Sequence, residues 1–97
     1  MKRKLNIVKI GGNVIDDPVA LEQFLADFIK VPAPKILVHG GGKLATDLAN
    51  KMGISQVMWQ GRRITDAGTL KIAVMVYAGW INKNIVASLN AKGESAM

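Results

Sequence analysis

The chain has 97 residues, no cysteine and a formal net charge of +6, from thirteen Lys plus Arg against seven Asp plus Glu. This length predicts one small domain, and the missing cysteines exclude a disulfide framework, a thiolate metal site and a cysteine nucleophile. A hydrophobic content of 49% argues against intrinsic disorder, and no contiguous apolar run reaches the roughly eighteen residues of a membrane span. The composition predicts a soluble, globular, cytoplasmic protein.

The positive charge is spread along the chain. Only Lys2-Arg3-Lys4 and Arg62-Arg63 are contiguous basic runs, whereas nucleic-acid-binding surfaces usually cluster their charge and add stacking aromatics. The excess charge favours small anionic ligands, or it solvates the surface. We expect no nucleic-acid and no membrane partner, and nucleic acid remains the minor alternative.

The first third of the chain predicts a strand followed by a helix. Leu5–Ile10 is a short, β-branched run that ends at Gly11-Gly12, which is typical of a buried strand entering a tight loop. Asp17-Pro18 predicts a helix start, with Asp as N-cap and Pro in the first helical position. Apolar residues then recur at helical spacing until Pro32 and Pro34 end the helix.

A second strand and helix follow the same plan. Ile36–Val38 is an apolar strand that ends in His39 and three glycines, and the next helix has Gly53 just past its end. Strand, helix, strand and helix in this order predict a βαβ crossover with a parallel sheet.

The last part of the chain predicts a hairpin and a long helix. Apolar and basic residues flank Gly61, which indicates a hairpin or a bulged ribbon. Asp66 can cap a helix that reaches Ala91, with Gly93 as the stop. Two apolar stripes are expected on it, and a helix with two such stripes needs more than one packing partner. The first stripe comprises Leu70, Val74, Tyr77, Ile81, Ile85 and Leu89, and the second comprises Ile72, Met75, Val76 and Val86.

Both glycine loops follow a predicted parallel strand and precede a helix, at the sheet edge where open α/β proteins bind ligands. Glycine lets backbone N–H groups approach an anion, and a helix N-terminus adds a positive dipole end. Lys9, two residues before Gly11, can neutralise a phosphoryl group at the same edge. Each feature alone is more often a plain turn or a solvated strand end, but together they favour an anion site.

Other polar residues have two interpretations each. One arginine of Arg62-Arg63 can bind a carboxylate through two parallel hydrogen bonds, or both can protect a strand edge. His39 can orient its glycine loop through a ring N–H, although a structural histidine is more common. Asp16 and Asp17 are interpreted as capping residues, and Asn82-Lys83-Asn84 as a solvated helix face or a patch that touches the site. Trp59 and Trp80 are expected to be packing or interface residues.

Four motifs in fixed order carry a family resemblance: Val-Lys-Ile-Gly-Gly at 8–12, Leu-Val-His-Gly-Gly-Gly at 37–42, Gly-Arg-Arg-Ile-Thr at 61–65 and Ala-Gly-Trp-Ile-Asn-Lys at 78–83. Over essentially its whole length the chain resembles the N-terminal part of the acetylglutamate kinases, within the amino-acid kinase family. The resemblance implies an α/β fold, a three-layer αβα sandwich with a mainly parallel sheet. It also implies transfer of the ATP γ-phosphate to the γ-carboxylate of N-acetyl-L-glutamate, in arginine biosynthesis, with ATP and Mg²⁺ required.

The resemblance also implies roles for single residues. Lys9 would stabilise the transferring phosphoryl group, Gly11 and Gly12 would hold the γ-phosphate, and Gly41 and Gly42 would contact substrate and phosphate. Arg63 would bind a substrate carboxylate, and no metal ligand is expected in this chain. The 66–91 helix resembles the one that forms the family's homodimer.

In this family a segment such as 1–97 forms the acylglutamate-binding portion, well under half of the enzyme. We therefore expect the nucleotide-binding portion to be absent and the chain alone to be inactive. N-succinylglutamate is an open alternative to the acetyl substrate. Glutamate 5-kinase, aspartokinase, carbamate kinase and uridylate kinase are alternatives within the family, and a non-catalytic, dimerising domain that binds small anions is an alternative outside it.

Overall fold

The computed structural model describes residues 4–54, 57–64 and 66–97, with no side-chain description at 57, 58 and 63. Four strands and five α-helices are present in this part of the chain, and a π-helical segment joins the last two helices. In chain order they are β1 (Asn6–Ile10), α1 (Gly12–Ile15), α2 (Pro18–Phe28), β2 (Lys35–His39), α3 (Leu44–Lys51), β3 (Val57–Trp59), β4 (Arg62–Ile64), α4 (Ala67–Ala73), the π-helical segment (Val74–Ile81) and α5 (Asn82–Ala91).

Strands β1 and β2 form the predicted parallel pair, in register from Asn6 opposite Lys35 to Ile10 opposite His39. Helix α2 connects them, so the expected βαβ crossover and the α/β class are confirmed. Because the two strands are parallel and in register, both glycine loops leave the sheet at the same edge.

The helix boundaries follow the local signals in the sequence. Asp17 Oδ1 accepts hydrogen bonds from the N–H groups of Val19 and Ala20, at 3.0 and 3.2 Å, and Pro18 is the first residue of α2. Helix α3 ends in a paired-bond cap, in which Gly53 N–H donates to Asn50 O and Ile54 N–H donates to Ala49 O. The end of α5 repeats this pattern around Gly93, so both predicted stops are confirmed.

The predicted hairpin is present as the antiparallel pair β3–β4, with Trp59 opposite Arg62. Its turn consists of Gln60 and Gly61, whose φ angles are 49° and 77°. Two successive positive φ angles give the turn a twist that matches that of the strands, which is why two-residue hairpins favour such turns.

The helices pack on one face of the parallel sheet. Val8 and Leu37 on this face contact a core made mainly of helical residues. The buried apolar members of that core are Leu25, Phe28, Ala45, Ala49, Ile72, Val76, Ile81, Ile85 and Leu89. The opposite face carries Leu5, Ile7, Lys9, Ile36 and Val38, all exposed. Since parallel sheets are normally covered on both faces, the described residues provide two layers of a three-layer sandwich.

The C-terminal helix, Ala67–Ala91, changes its buried face part-way along. Its buried apolar residues are Ile72, Val76, Ile81, Ile85 and Leu89, so the spacing is four, then five, then four and four. The step of five falls in the π-helical segment, whose hydrogen bonds span one residue more than those of an α-helix. The predicted first stripe is therefore wrong in its first half, because Leu70 and Val74 are 54% and 55% exposed.

The same helix exposes a second apolar surface, formed by Leu70, Val74, Met75 and Trp80. By length and composition it is the one helix of the described chain that is long and apolar enough to cross a membrane, a test that core helices of soluble proteins also pass. Trp80 and Trp59 are 64% and 66% exposed, so neither packs inside this chain.

Candidate functional site

The two glycine loops touch each other at the sheet edge. A Cβ added to Gly12 would lie 2.9 Å from the Cα of Gly42, so only glycine allows the two backbones to come this close. Gly12 opens the short helix α1, and Gly42 precedes the start of α3. The N–H groups of a first helical turn lack acceptors within their own helix, and two such turns begin beside this contact.

Asp16 connects the first loop segment to the second. Its carboxylate oxygens accept from the backbone N–H of Lys43, at 3.0 and 3.2 Å. Gly42 adopts a φ of +57°, and a Cβ there would lie 2.7 Å from the Asp16 Cγ. Asp16 is thus a capping residue, as predicted, but it caps the start of α3 instead of its own segment. Part of the positive end of α3 is occupied by this carboxylate.

The third contact is between the second loop and the C-terminal helix. Gly41 is buried, and a Cβ added to it would fall on the Cδ1, Cε1 and Cζ atoms of the Tyr77 ring. Tyr77 belongs to the π-helical segment. The sequence pattern identified Tyr77 only as a member of an apolar stripe, because a glycine–ring contact over 36 positions has no local signal.

His39 makes a further connection between the same loop and the helix. Its Nδ1 lies 2.9 Å from the carbonyl oxygen of Gly40, and its Nε2 lies 3.3 Å from the Asn82 side-chain Nδ2. Asn82 Oδ1 accepts from Lys83 Nζ at 2.9 Å. Of the polar run 82–84, the structure brings Asn82 to the site, while Asn84 is exposed.

Lys9 lies on the open face of the sheet, opposite Val38 in the register and two residues before Gly11. Its side chain is exposed and has no hydrogen-bond or ion-pair partner among the residues that the structure describes. It therefore keeps its donors available to a ligand at this edge. Gly11 is exposed as well, and a Cβ there would meet nothing within 4 Å.

The arginine pair lies on β4 of the hairpin. Arg62 is exposed, and Arg63 pairs with Met58 through the backbone. The predicted carboxylate contact of Arg63 concerns a side chain that lies outside the described part of the structure. The sheet edge thus brings together Lys9, the two glycine loops and His39. The placement of the Arg63 guanidinium stays a prediction.

Comparison with known sequences identifies the family. The profile of the amino acid kinase family matches residues 4–97. The chain belongs to the amino acid kinase family. The four motifs that predicted this membership all lie within the matched range.

Individual members of the amino acid kinase family are similar over most or all of the chain. Acetylglutamate kinase of Phocaeicola vulgatus is 55% identical over 97 residues, which is all of this chain and 38% of that protein. Acetylglutamate kinase of Cytophaga hutchinsonii is 60% identical over 89 residues, which is 92% of this chain and 34% of that protein. The chain thus spans a little over a third of the length of these curated relatives.

A solved structure has the same fold. The crystal structure of smu.665 from Streptococcus mutans UA159 superposes with a TM-score of 0.72 at 19% identity, over 92% of this chain and 37% of that chain. The match supports the α/β class and shows that the parallel pair and its helices form part of a larger fold in that protein.

In the described part of the chain, the acidic groups do not cluster as a metal site would require. No group of three or more His, Asp or Glu that could hold a metal ion occurs in the described ranges. Asp16 is engaged with the Lys43 N–H. Asp66 caps α4, and the hydrogen bond that its Oδ1 accepts from the Thr69 backbone N–H, at 2.8 Å, holds the pKa of its carboxyl below its usual value. The edge offers backbone N–H groups and a lysine, which suit phosphate and carboxylate anions.

Proposed function

We propose that residues 1–97 form the acylglutamate-binding portion of an acetylglutamate kinase. The whole protein would transfer the ATP γ-phosphate to the γ-carboxylate of N-acetyl-L-glutamate, as a step of arginine biosynthesis in the cytoplasm. Identities of 50–60% to curated acetylglutamate kinases support this substrate.

One structural observation carries the proposal: the contact between the two glycine loops at the carboxyl ends of adjacent parallel strands. Transfer between a nucleotide and a carboxylate brings two anions together, and their repulsion has to be offset at the point of contact. The backbone N–H groups of the glycine loops, together with the exposed Lys9, supply positive potential at that point.

The proposed roles follow the order of the chain. Gly11 and Gly12 hold the γ-phosphate through backbone N–H groups, and Gly41 and Gly42 contact substrate and phosphate. A γ-carboxylate oxygen forms a bond to phosphorus while the bond from phosphorus to the leaving oxygen of ADP breaks. Lys9 offsets the negative charge on the transferred group, and Arg63 binds a substrate carboxylate through its guanidinium fork.

Mg²⁺ enters this scheme with ATP, whose phosphate oxygens bind it. The described residues of the edge fit anions better than a cation, because Asp16 is occupied by the Lys43 N–H. We propose that the nucleotide-binding portion lies outside residues 1–97. The open apolar face of the sheet and the 34–38% coverage of the relatives support this division.

We also propose a homodimer through the C-terminal helix. Leu70, Val74, Met75 and Trp80 form an exposed apolar surface along it, and burying such a surface between two copies removes apolar area from water. Sedimentation equilibrium of the 97-residue chain tests this, with Val74→Glu expected to leave a monomer.

The experiment that tests the function is calorimetric titration of the 97-residue chain with N-acetyl-L-glutamate, N-succinyl-L-glutamate, L-aspartate and UMP. We expect binding of one N-acylglutamate, and at least tenfold weaker binding after Lys9→Ala. Lys4→Ala is the matched control, since Lys4 is also exposed but precedes the other end of β1. Preference for aspartate or UMP would assign another branch of the family. A dimer that binds none of the four would support a non-catalytic domain.

A further inference from the structure

The only histidine of the chain, His39, sits between the second glycine loop and the C-terminal helix. It lies on the face of β2 that packs against the helices, and its ring uses both nitrogens. One nitrogen contacts a backbone carbonyl within the Gly40–Gly42 run, and the other contacts a side chain at the first residue of α5. The ring therefore couples the position of the loop to the helix.

The hydrogen-bond network determines which nitrogen of His39 carries the proton. Asn82 Oδ1 accepts from Lys83 Nζ, which leaves the amide Nδ2 of Asn82 to face the imidazole. An amide NH2 group only donates, so Nε2 must be the unprotonated, accepting nitrogen. Nδ1 then carries the hydrogen and donates to the Gly40 carbonyl oxygen, 2.9 Å away.

This donor acts on one peptide unit. The Gly40 carbonyl and the Gly41 N–H belong to the same planar trans peptide, so they point in opposite directions. A peptide between two glycines has little intrinsic preference between its two orientations, because neither neighbour has a Cβ. The imidazole holds the carbonyl toward itself, and the Gly41 N–H is therefore directed away from the ring.

We propose that His39 and Asn82 are positioning residues that fix the orientation of the Gly40–Gly41 peptide for anion binding. Asn82 selects the Nδ1–H tautomer, His39 holds the Gly40 carbonyl, and the Gly41 N–H is presented to the ligand. The link to phosphate and substrate rests on the proposed function, which assigns Gly41 to that contact. The orientation of the peptide itself is independent of any ligand.

The first experiment measures the His39 tautomer by ¹⁵N NMR, where a single histidine gives an unambiguous spectrum. We expect the acceptor-type nitrogen signal at Nε2 in the wild type. In Asn82→Asp the partner of Nε2 becomes a carboxylate, which only accepts, so Nε2 should carry a proton in that variant. Asn84→Asp makes the same charge change two residues away on an exposed position.

Lys35 and Glu94 line the same groove as His39, and Tyr77 packs on the next loop residue. These groups are unchanged in both variants, so a difference between the variants in the His39 signals reports the effect of Asn82 alone. An Nε2–H tautomer in the wild type, or the same response in Asn84→Asp as in Asn82→Asp, would overturn the proposal.

The second experiment follows the Gly41 amide signal in two His39 variants during titration with inorganic phosphate and with N-acetyl-L-glutamate. His39→Asn keeps a side-chain N–H donor near the position of Nδ1, whereas His39→Leu removes it. We expect the Gly41 signal of His39→Asn to lie close to that of the wild type, and its ligand affinity to stay within threefold of the wild-type value. His39→Leu should shift that signal and weaken binding at least tenfold.

Equal binding by His39→Leu and wild type would refute the positioning role. If the wild type binds neither ligand, the proposed function fails, while the tautomer and the Gly41 signal of the free chain still decide the orientation of the peptide. If His39→Leu does not fold, His39→Asn and the wild-type tautomer still decide it.

Discussion

Substituting Gly41 by alanine tests the packing of the second loop against the C-terminal helix. The added Cβ would meet three carbons of the Tyr77 ring, each closer than 3.0 Å. Non-bonded carbons pack at about 3.5–4.0 Å, so the ring has to move by more than about 1 Å. Because Tyr77 is half-buried above a buried glycine, the shift opens the contact between loop and helix.

The expected magnitude follows from overpacking, which destabilises a folded chain by about 1–3 kcal/mol. Tyr77→Ala alone loses part of its ring burial, about 2 kcal/mol for a half-buried aromatic. In the double variant the new methyl group has space. The loss of stability measured for the double variant should therefore be smaller than the sum of the losses in the two single variants. We expect a coupling free energy of about 1 kcal/mol or more between the two positions.

Urea unfolding of the 97-residue chain, followed by far-ultraviolet circular dichroism, measures the free energy of unfolding of the wild type, of the two single variants and of the double variant. Gly40→Ala is the control, because a Cβ there meets nothing within 4 Å, and its midpoint should stay close to that of the wild type. Additive losses, within about 0.5 kcal/mol, would show that Gly41 and Tyr77 are not in contact and would refute the arrangement of the loop.

Three further predictions concern charged groups. Asp16→Ala should lower the free energy of unfolding by about 1 kcal/mol, since it removes the cap on the Lys43 N–H, and urea unfolding measures it. Lys35→Met should lower it by about 2 kcal/mol, because the largely buried ammonium donates to three carbonyls at the end of α2; Lys30→Met is the exposed control. The stabilisation by Asp66 should be complete above the unfolded carboxyl pKa and be lost as the pH falls through the lower folded pKa, below 3.8. Unfolding curves of wild type and Asp66→Asn, taken from neutral pH down to pH 2, should therefore converge; a constant gap would contradict this.

Local chemistry explains why the boundaries of the elements were predictable. Asp17 caps a helix whose first residue is Pro18, and Gly53 and Gly93 end two others through bonds that span only a few residues. Each signal depends on the backbone next to it, so the packing of the rest of the chain hardly changes it. The hairpin around Gly61 was predictable for the same reason, because its turn depends on the backbone of two adjacent residues, Gln60 and Gly61.

The contacts of the candidate site were harder to predict because their partners are far apart in sequence. Asp16 reaches Lys43 across 27 positions, and His39 reaches Asn82 across 43. Nothing in the sequence beside Asp16 distinguishes a cap on its own helix from a cap on α3. What the sequence did predict was the shared edge, because parallel strands bring their carboxyl ends together.

The buried face of the C-terminal helix shows how tertiary contacts override a periodic pattern. Leu70, Val74, Tyr77 and Ile81 follow one another at regular α-helical spacing, so the sequence favours them as the core stripe. In the structure Thr69, Ile72 and Val76 are buried in that half instead. A regular α-helix continued from Val76 would next bury Trp80 and then Asn84, which are a bulky surface residue and a polar one.

The π-helical segment resolves this conflict by adding one residue to the step between Val76 and Ile81. The second half of the helix then buries Ile81, Ile85 and Leu89 and leaves Trp80 on the surface. The same segment carries Tyr77 above Gly41, and it ends immediately before Asn82, the partner of His39. Such segments are uncommon and often occur at functional sites. The change of register therefore has two effects. It keeps the core apolar, and it places Tyr77 against Gly41 and Asn82 against His39.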